Sequence, residues 1–202
     1  MKKLEVVLLS VFAACLYGVL HDQITSRVCI EYFTVAHPPL FHSTSPTLLA
    51  LCWGIAATAG IGAAFGFVLA MVSRADGRAP YPIFDLCRSI LLLVVVMAAC
   101  ALIAGTVGYQ LSHRGVISIP TVLYRVVPAP QHDRFMAVWF AHGASYLVGL
   151  AGGAYLCFRV WLARGKPSVI SFFPRTPAAT FRATALAAAA ACIAWLRLIA
   201  HL

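Results

Sequence analysis

Side chains able to do chemistry are scarce in this 202-residue chain: six acidic residues, seven histidines and seven cysteines. Their densest gathering is His21-Asp22-Gln23-Ile24-Thr25-Ser26-Arg27-Val28-Cys29-Ile30-Glu31-Tyr32-Phe33. On a helix, at about 100° per residue, His21, Thr25 and Tyr32 share one face, with Cys29 at its edge. Gln23, Arg27 and Glu31 take the opposite face, where Arg27 and Glu31 have the i,i+4 spacing of an ion pair. Asp22 falls between the two. His21 and Glu31 therefore point apart, so a metal site here needs a ligand from a second helix.

His142 offers that ligand, with Ser145 at i+3 and Tyr146 at i+4 on the same face. His21, Asp22 and His142 could hold a divalent metal through imidazole, carboxylate and imidazole, leaving a fourth position for water. Alternatively the carboxylate acts one step back, holding a ring in one tautomer. Asp22, Thr25, Tyr32, Ser145 and Tyr146 are the expected walls of a polar pocket for a small ligand, with Arg27 and Glu31 bracing its lid. The plainer alternatives are a hydrogen bond from His142 to a neighbouring helix and a half-hydrated His21 at the membrane interface. A b-type haem held by His21 and His142 is the lesser cofactor alternative.

Other signatures are missing. The cysteines show no C-x-x-C, which leaves thiolate zinc and dithiol chemistry without support. Cys29 and Cys52 could pair if geometry allows. There is no H-E-x-x-H, H-x-x-x-H, G-x-S-x-G or Walker motif, which argues against zincins, histidine-rich di-iron oxygenases, serine hydrolases and P-loop enzymes.

Composition dictates what must position these groups. The chain is 62% apolar and only 10% charged, with a mean hydropathy of +0.90, where a soluble domain has roughly 25% charged residues. A lipid bilayer is the implied surrounding, and the net charge of +9 reads as cytoplasmic loops rather than nucleic-acid binding. Five apolar tracts, at about 4–20, 47–72, 86–109, 136–162 and 184–200, are long enough to span as helices. The fold expected is an all-α transmembrane bundle of five helices in one domain. Met1-Lys2-Lys3 and Phe12-Ala13-Ala14-Cys15 resemble a lipoprotein signal. Phe12 suits that cleavage box poorly and the apolar run continues to Leu20, so the tract is read as a retained span.

Lysine and arginine set the orientation. With the N-terminus cytoplasmic, ten of them fall inside and five outside, which places the C-terminus in the periplasm. All seven histidines then fall outside or at outer helix ends, in or beside outer loops at about 21–46 and 110–135. Histidine was not used in the charge count, so the clustering is independent of it. No Gly or Pro lies between His21 and Ala36, and the first helix is expected to reach about Val35. Asp133 is the expected N-cap of the fourth span. Small residues four apart, at Gly54, Thr58, Gly62, Gly66 and Ala70 and again at Ala141, Ser145, Gly149 and Gly153, predict close packing with the second and fourth spans at the centre.

The segment 21–34 with His37-Pro38-Pro39 resembles a family of bacterial multi-pass inner-membrane proteins that carry the same His-Asp-Gln and Glu-Tyr-Phe string. Leu51-Cys52-Trp53-Gly54 and Ala141-His142-Gly143-Ala144-Ser145-Tyr146-Leu147-Val148-Gly149 are similar to later parts of that family. The resemblance implies the bacterial inner membrane and no particular reaction. Two functions remain open: a periplasm-facing metal or small-ligand site, in an enzyme or a carrier component, and a structural subunit. The latter would dock a homo-oligomeric or membrane-protein partner through its glycine ladders.

Overall fold

The computed structural model describes residues 3–74, 77 and 79–164, and the regular structure among them is entirely helical. Helix α1 spans Lys3–Val28, the single turn α2 Glu31–Thr34, α3 Pro46–Val72, α4 Ile83–His113 and α5 His132–Ala163. A 3-10 turn at Ala129–Gln131 leads into α5. Helices α1, α3, α4 and α5 are each long and apolar enough to cross a membrane. They correspond to the first four apolar tracts; the fifth, at 184–200, lies outside the described residues.

Local chemistry explains most helix ends. Ser45 caps α3 by accepting the Leu48 amide at 3.5 Å, and Pro46 sits in the first turn, where its missing N–H costs nothing. Asp133 does not cap α5 as expected, because the helix starts one residue earlier, at His132. Its carboxylate instead accepts from the Ser112 hydroxyl at 2.6 Å and lies 3.0 Å from His113 Nδ1. That clasp ties the last turn of α4 to the first of α5.

Helix α1 stops at Val28 rather than Val35, without a Gly or Pro to stop it. The cause is tertiary. Val28 and Phe33 are both buried, yet on a straight helix they would point about 140° apart. The chain bends at Cys29 and Ile30, and α2 restarts so that Tyr32 and Phe33 fold over the start of α5. The bend also undoes the expected Arg27–Glu31 pair. Arg27 reaches Gln23 Oε1 at 2.6 Å and Thr47 Oγ1 at 2.8 Å, pinning α1 to the start of α3. Glu31 accepts from the Cys29 thiol at 3.3 Å.

Packing corrects the expected centre of the bundle. The ladder on α3 seats α1, not α5. A Cβ added at Gly54 would fall 2.6 Å from Val19 N, at Gly62 2.8 Å from Ala14 Cβ, and at Gly66 2.8 Å from Ser10 Cβ. In lipid, helices associate by such close approach, since the acyl chains are as apolar as the side chains. Helix α5 pairs with α4, where a Cβ on Gly108 would lie 2.7 Å from Met136 O. The α5 ladder is divided among neighbours, with Gly149 against Met97 of α4 and Gly153 against Phe65 of α3. Neighbouring spans are antiparallel, so α1 and α4 finish at the end where α3 and α5 begin. The six histidines of the described residues gather at this histidine end.

Because a side chain at Gly62 must push α1 away, Gly62→Leu is expected to destabilise the bundle by about 1–3 kcal/mol or more. Gly60, with nothing within 4 Å of an added Cβ, should accept the same change with little loss. Thermal unfolding in detergent compares the two, and equal losses would contradict this packing.

Candidate metal centre

Where α1 leaves the bundle and α5 enters it, His21 and Asp22 meet His142. One ligand atom from each of the three lies within 4.8 Å of the others. Asp22 and His142 are only 6% and 4% exposed. The His21 and His142 rings touch edge to face, with centroids 4.5 Å apart.

The hydrogen bonds of His142 define its chemistry. Its Nδ1 lies 3.0 Å from the Val138 carbonyl oxygen, one turn back on α5, and its Nε2 lies 3.2 Å from Asp22 Oδ1. A carbonyl only accepts, so Nδ1 carries the proton. In a neutral ring Nε2 is then a lone pair, aimed at a carboxylate oxygen that also has only lone pairs. Two such groups repel unless a cation lies between them. The candidates are a proton and a metal ion.

His21 adds a third group in need. Its Nε2 is buried and has no hydrogen-bond partner among the described residues, a situation that costs about 1–3 kcal/mol in an apolar interior. A tetrahedral metal with bonds of about 2.0–2.1 Å holds its ligand atoms roughly 3.3 Å apart. The Asp22–His142 pair already stands at 3.2 Å, and the His21 ligand atom lies within 4.8 Å of both. Two imidazoles and a carboxylate suit zinc, and also iron, nickel or copper. Haem does not fit: rings in direct contact leave no gap for a porphyrin plane.

The surroundings fix and dry the cluster. Tyr17, one turn before His21, stacks on its ring at 5.6 Å and shares a 2.7 Å hydrogen bond with the Ser145 hydroxyl across the α1–α5 gap. Tyr32 covers His142 with ring centroids 4.5 Å apart, and Phe33 lies at 5.8 Å. Beyond them His37 donates from Nδ1 to the Tyr32 carbonyl at 2.7 Å and packs on Trp53. Burial holds the His37 imidazole below the ordinary histidine range. Burial also pushes the Cys29 thiol up to about 12, so this cysteine is a poor nucleophile near neutral pH. Cys29 and Cys52 are both free thiols.

The expected pocket is assembled only in part. His21, Asp22, Tyr32, His142 and Ser145 come together. Thr25 is buried, but its hydroxyl is spent on the His21 carbonyl at 3.2 Å. Arg27 and Glu31 brace other contacts, as described above, and form no lid. Tyr146 stays at the periphery, 49% exposed with its ring 6.2 Å from that of His142. Reading the sequence passed over Tyr17, Phe33 and His37. Tyr17 was legible as the i−4 neighbour of His21 on one helix face; the other two depend on the bend after α1.

Apolar spans of this length enclosing a buried His–Asp–His cluster define a multi-span helical membrane protein. No family model, curated protein or solved structure matches the chain.

Asp22→Ala removes the carboxylate that faces His142 Nε2 and is expected to cost about 1–3 kcal/mol. Asp22→Asn should cost less, because its amide N–H can donate to the same lone pair. Detergent melting curves rank the two variants. Equal melting of both with the parent chain would mean that the contact carries no energy.

Proposed function

We propose that this chain is a bacterial inner-membrane protein whose His21–Asp22–His142 centre binds a divalent metal ion and presents it to a small polar ligand, as an enzyme or a carrier component. The carrying observation is the opposition of two lone-pair atoms, His142 Nε2 and Asp22 Oδ1, at 3.2 Å beside an unpartnered His21 Nε2. A proton would relieve only the first two. A metal ion serves all three, and water or a ligand completes its coordination. Ionisable groups within spans are costly, and ordinarily persist where they serve a function.

The excess of Lys and Arg on one side supports a cytoplasmic N-terminus, with the C-terminus and the histidine end facing the periplasm. The structural-subunit alternative draws less support, because the α3 ladder is already filled by α1. A partner docking there would have to displace it.

Elemental analysis of the detergent-purified protein tests the metal. Near-stoichiometric zinc, iron, nickel or copper is expected in the parent chain and should be lost in His21→Ala and His142→Ala. The decisive variant is Asp22→Asn: it keeps the fold but removes the carboxylate, so it should be folded and metal-poor. A folded, metal-free parent chain sinks the reading, and a haem absorption band would replace it. For orientation, alkaline phosphatase fused after Gly115 should be active and after Gly77 inactive; the opposite pattern reverses the topology.

A further inference from the structure

His37 stands outside the His–Asp–His centre, on the irregular segment between α2 and α3, yet its imidazole is prepared in the same way as that of His142. Each ring sets Nδ1 against a backbone carbonyl, His142 at 3.0 Å from Val138 O and His37 at 2.7 Å from Tyr32 O. A carbonyl only accepts, so each ring donates there and keeps its lone pair on Nε2. Burial favours the neutral form of His37, which leaves that lone pair without a proton near neutral pH. The bond runs to the backbone of Tyr32 and not to its phenol. The placing of His37 therefore does not depend on where that ring lies.

Two aromatic rings link the imidazoles. Between centroids, Tyr32 lies 5.0 Å from His37 and 4.5 Å from His142, and Phe33 lies 5.6 Å from the first and 5.8 Å from the second. His37 and His142 are thus neighbours through a single ring, and the Asp22 carboxylate acts electrostatically on His37 as well. Burial deepens along the same line: His37 is half-buried, while Phe33 is 2% exposed and His142 4%. The turn that carries Tyr32 and Phe33 is four residues long with non-helical residues on both sides, so its movement need not displace a span.

An ion bound at the centre has to cross from water to residues that water barely reaches. Shedding hydration is costly for a cation in apolar surroundings unless a protein ligand takes the place of the lost water. His37 Nε2 is such a ligand atom, one ring short of the centre.

We propose that His37 is the entry ligand of this centre: its Nε2 takes a divalent metal ion from the aqueous face at the histidine end and passes it to His142 as the Tyr32 ring swings aside. The inference rests on the metal reading of the centre and adds the route by which it is loaded. A ligand that serves only the crossing lowers the barrier without deepening the bound state. It speeds entry and exit alike and leaves affinity unchanged.

The test uses the full chain in detergent, stripped of metal by a chelator, with cobalt(II) chloride as probe and the visible absorption of bound cobalt as signal. His142→Ala gives the background. His37→Gln keeps an N–H for the Tyr32 carbonyl and lacks the imidazole Nε2. It should slow cobalt uptake severalfold and slow release to excess chelator by the same factor, with final occupancy and melting temperature equal to the parent's. His37→Phe, which retains a ring against Phe33 and Trp53, should behave alike and serves if the glutamine variant folds poorly. Tyr32→Leu thins the partition and should speed both rates. Faster uptake in the His37 variants would make His37 merely part of the cover, and lost occupancy would make it a fourth ligand of the centre; either result overturns the proposal. A parent chain that takes up no cobalt overturns the metal reading and this one with it. A parent that loads, with His37 variants loading at the same rate, overturns this one alone.

Discussion

A charged or hydrogen-bonding group inside a bilayer has no water to fall back on, so every such group must find its partner within the protein. The Asp22–His142 contact is where this constraint bears hardest on the present chain. Both residues are buried within different spans, 120 residues apart in sequence. Neither can move to water without withdrawing a whole helix. Their meeting fixes the level at which α1 crosses α5, and with it the position of His21, Tyr17 and Ser145. The glycine seat on α3 serves the same end from the other side, since it lets α1 lie close enough to hold its height.

The local environment magnifies the chemistry of that contact. At low effective dielectric an unpaired lone pair is costly and a paired charge is strongly held. The backbone carbonyl of Val138 then acts as more than a helix bond. By accepting the hydrogen bond of Nδ1–H it leaves Nε2 as the lone-pair atom, the usual way in which a protein sets a histidine tautomer. Tyr32, Phe33 and Trp53 exclude water from above, and the Tyr17–Ser145 bond holds the flank.

The described helices also show why small-residue ladders are ambiguous as signals of partners. Gly54, Gly62 and Gly66 have the spacing expected of a dimerisation face, yet each is already met by an α1 backbone or side chain. The driving force is identical whether the second helix belongs to the same chain or another. Only the connectivity decides. Here the short α2 and the Arg27–Thr47 bond bring the chain back from the end of α1 at Val28 to the start of α3 at Pro46.

Apolar runs of helical length dictated the all-helical class and the four described spans, because the cost of exposed backbone in lipid leaves no other solution. The same runs, being broken at fixed points, already put the histidines at one end. Pairing of His21, Asp22 and His142 was legible as well, since matched depth on antiparallel helices follows from span boundaries alone. What the sequence left undecided is which faces meet. That α1 rather than α5 fills the α3 ladder, that the chain bends at Cys29, and that Arg27 and Glu31 part company all turn on how several helices share one interior. Periodicity assigns each residue to a side of its own helix, but side-by-side packing in lipid is chosen by steric fit among all spans at once. Such fit has no signature in any single segment.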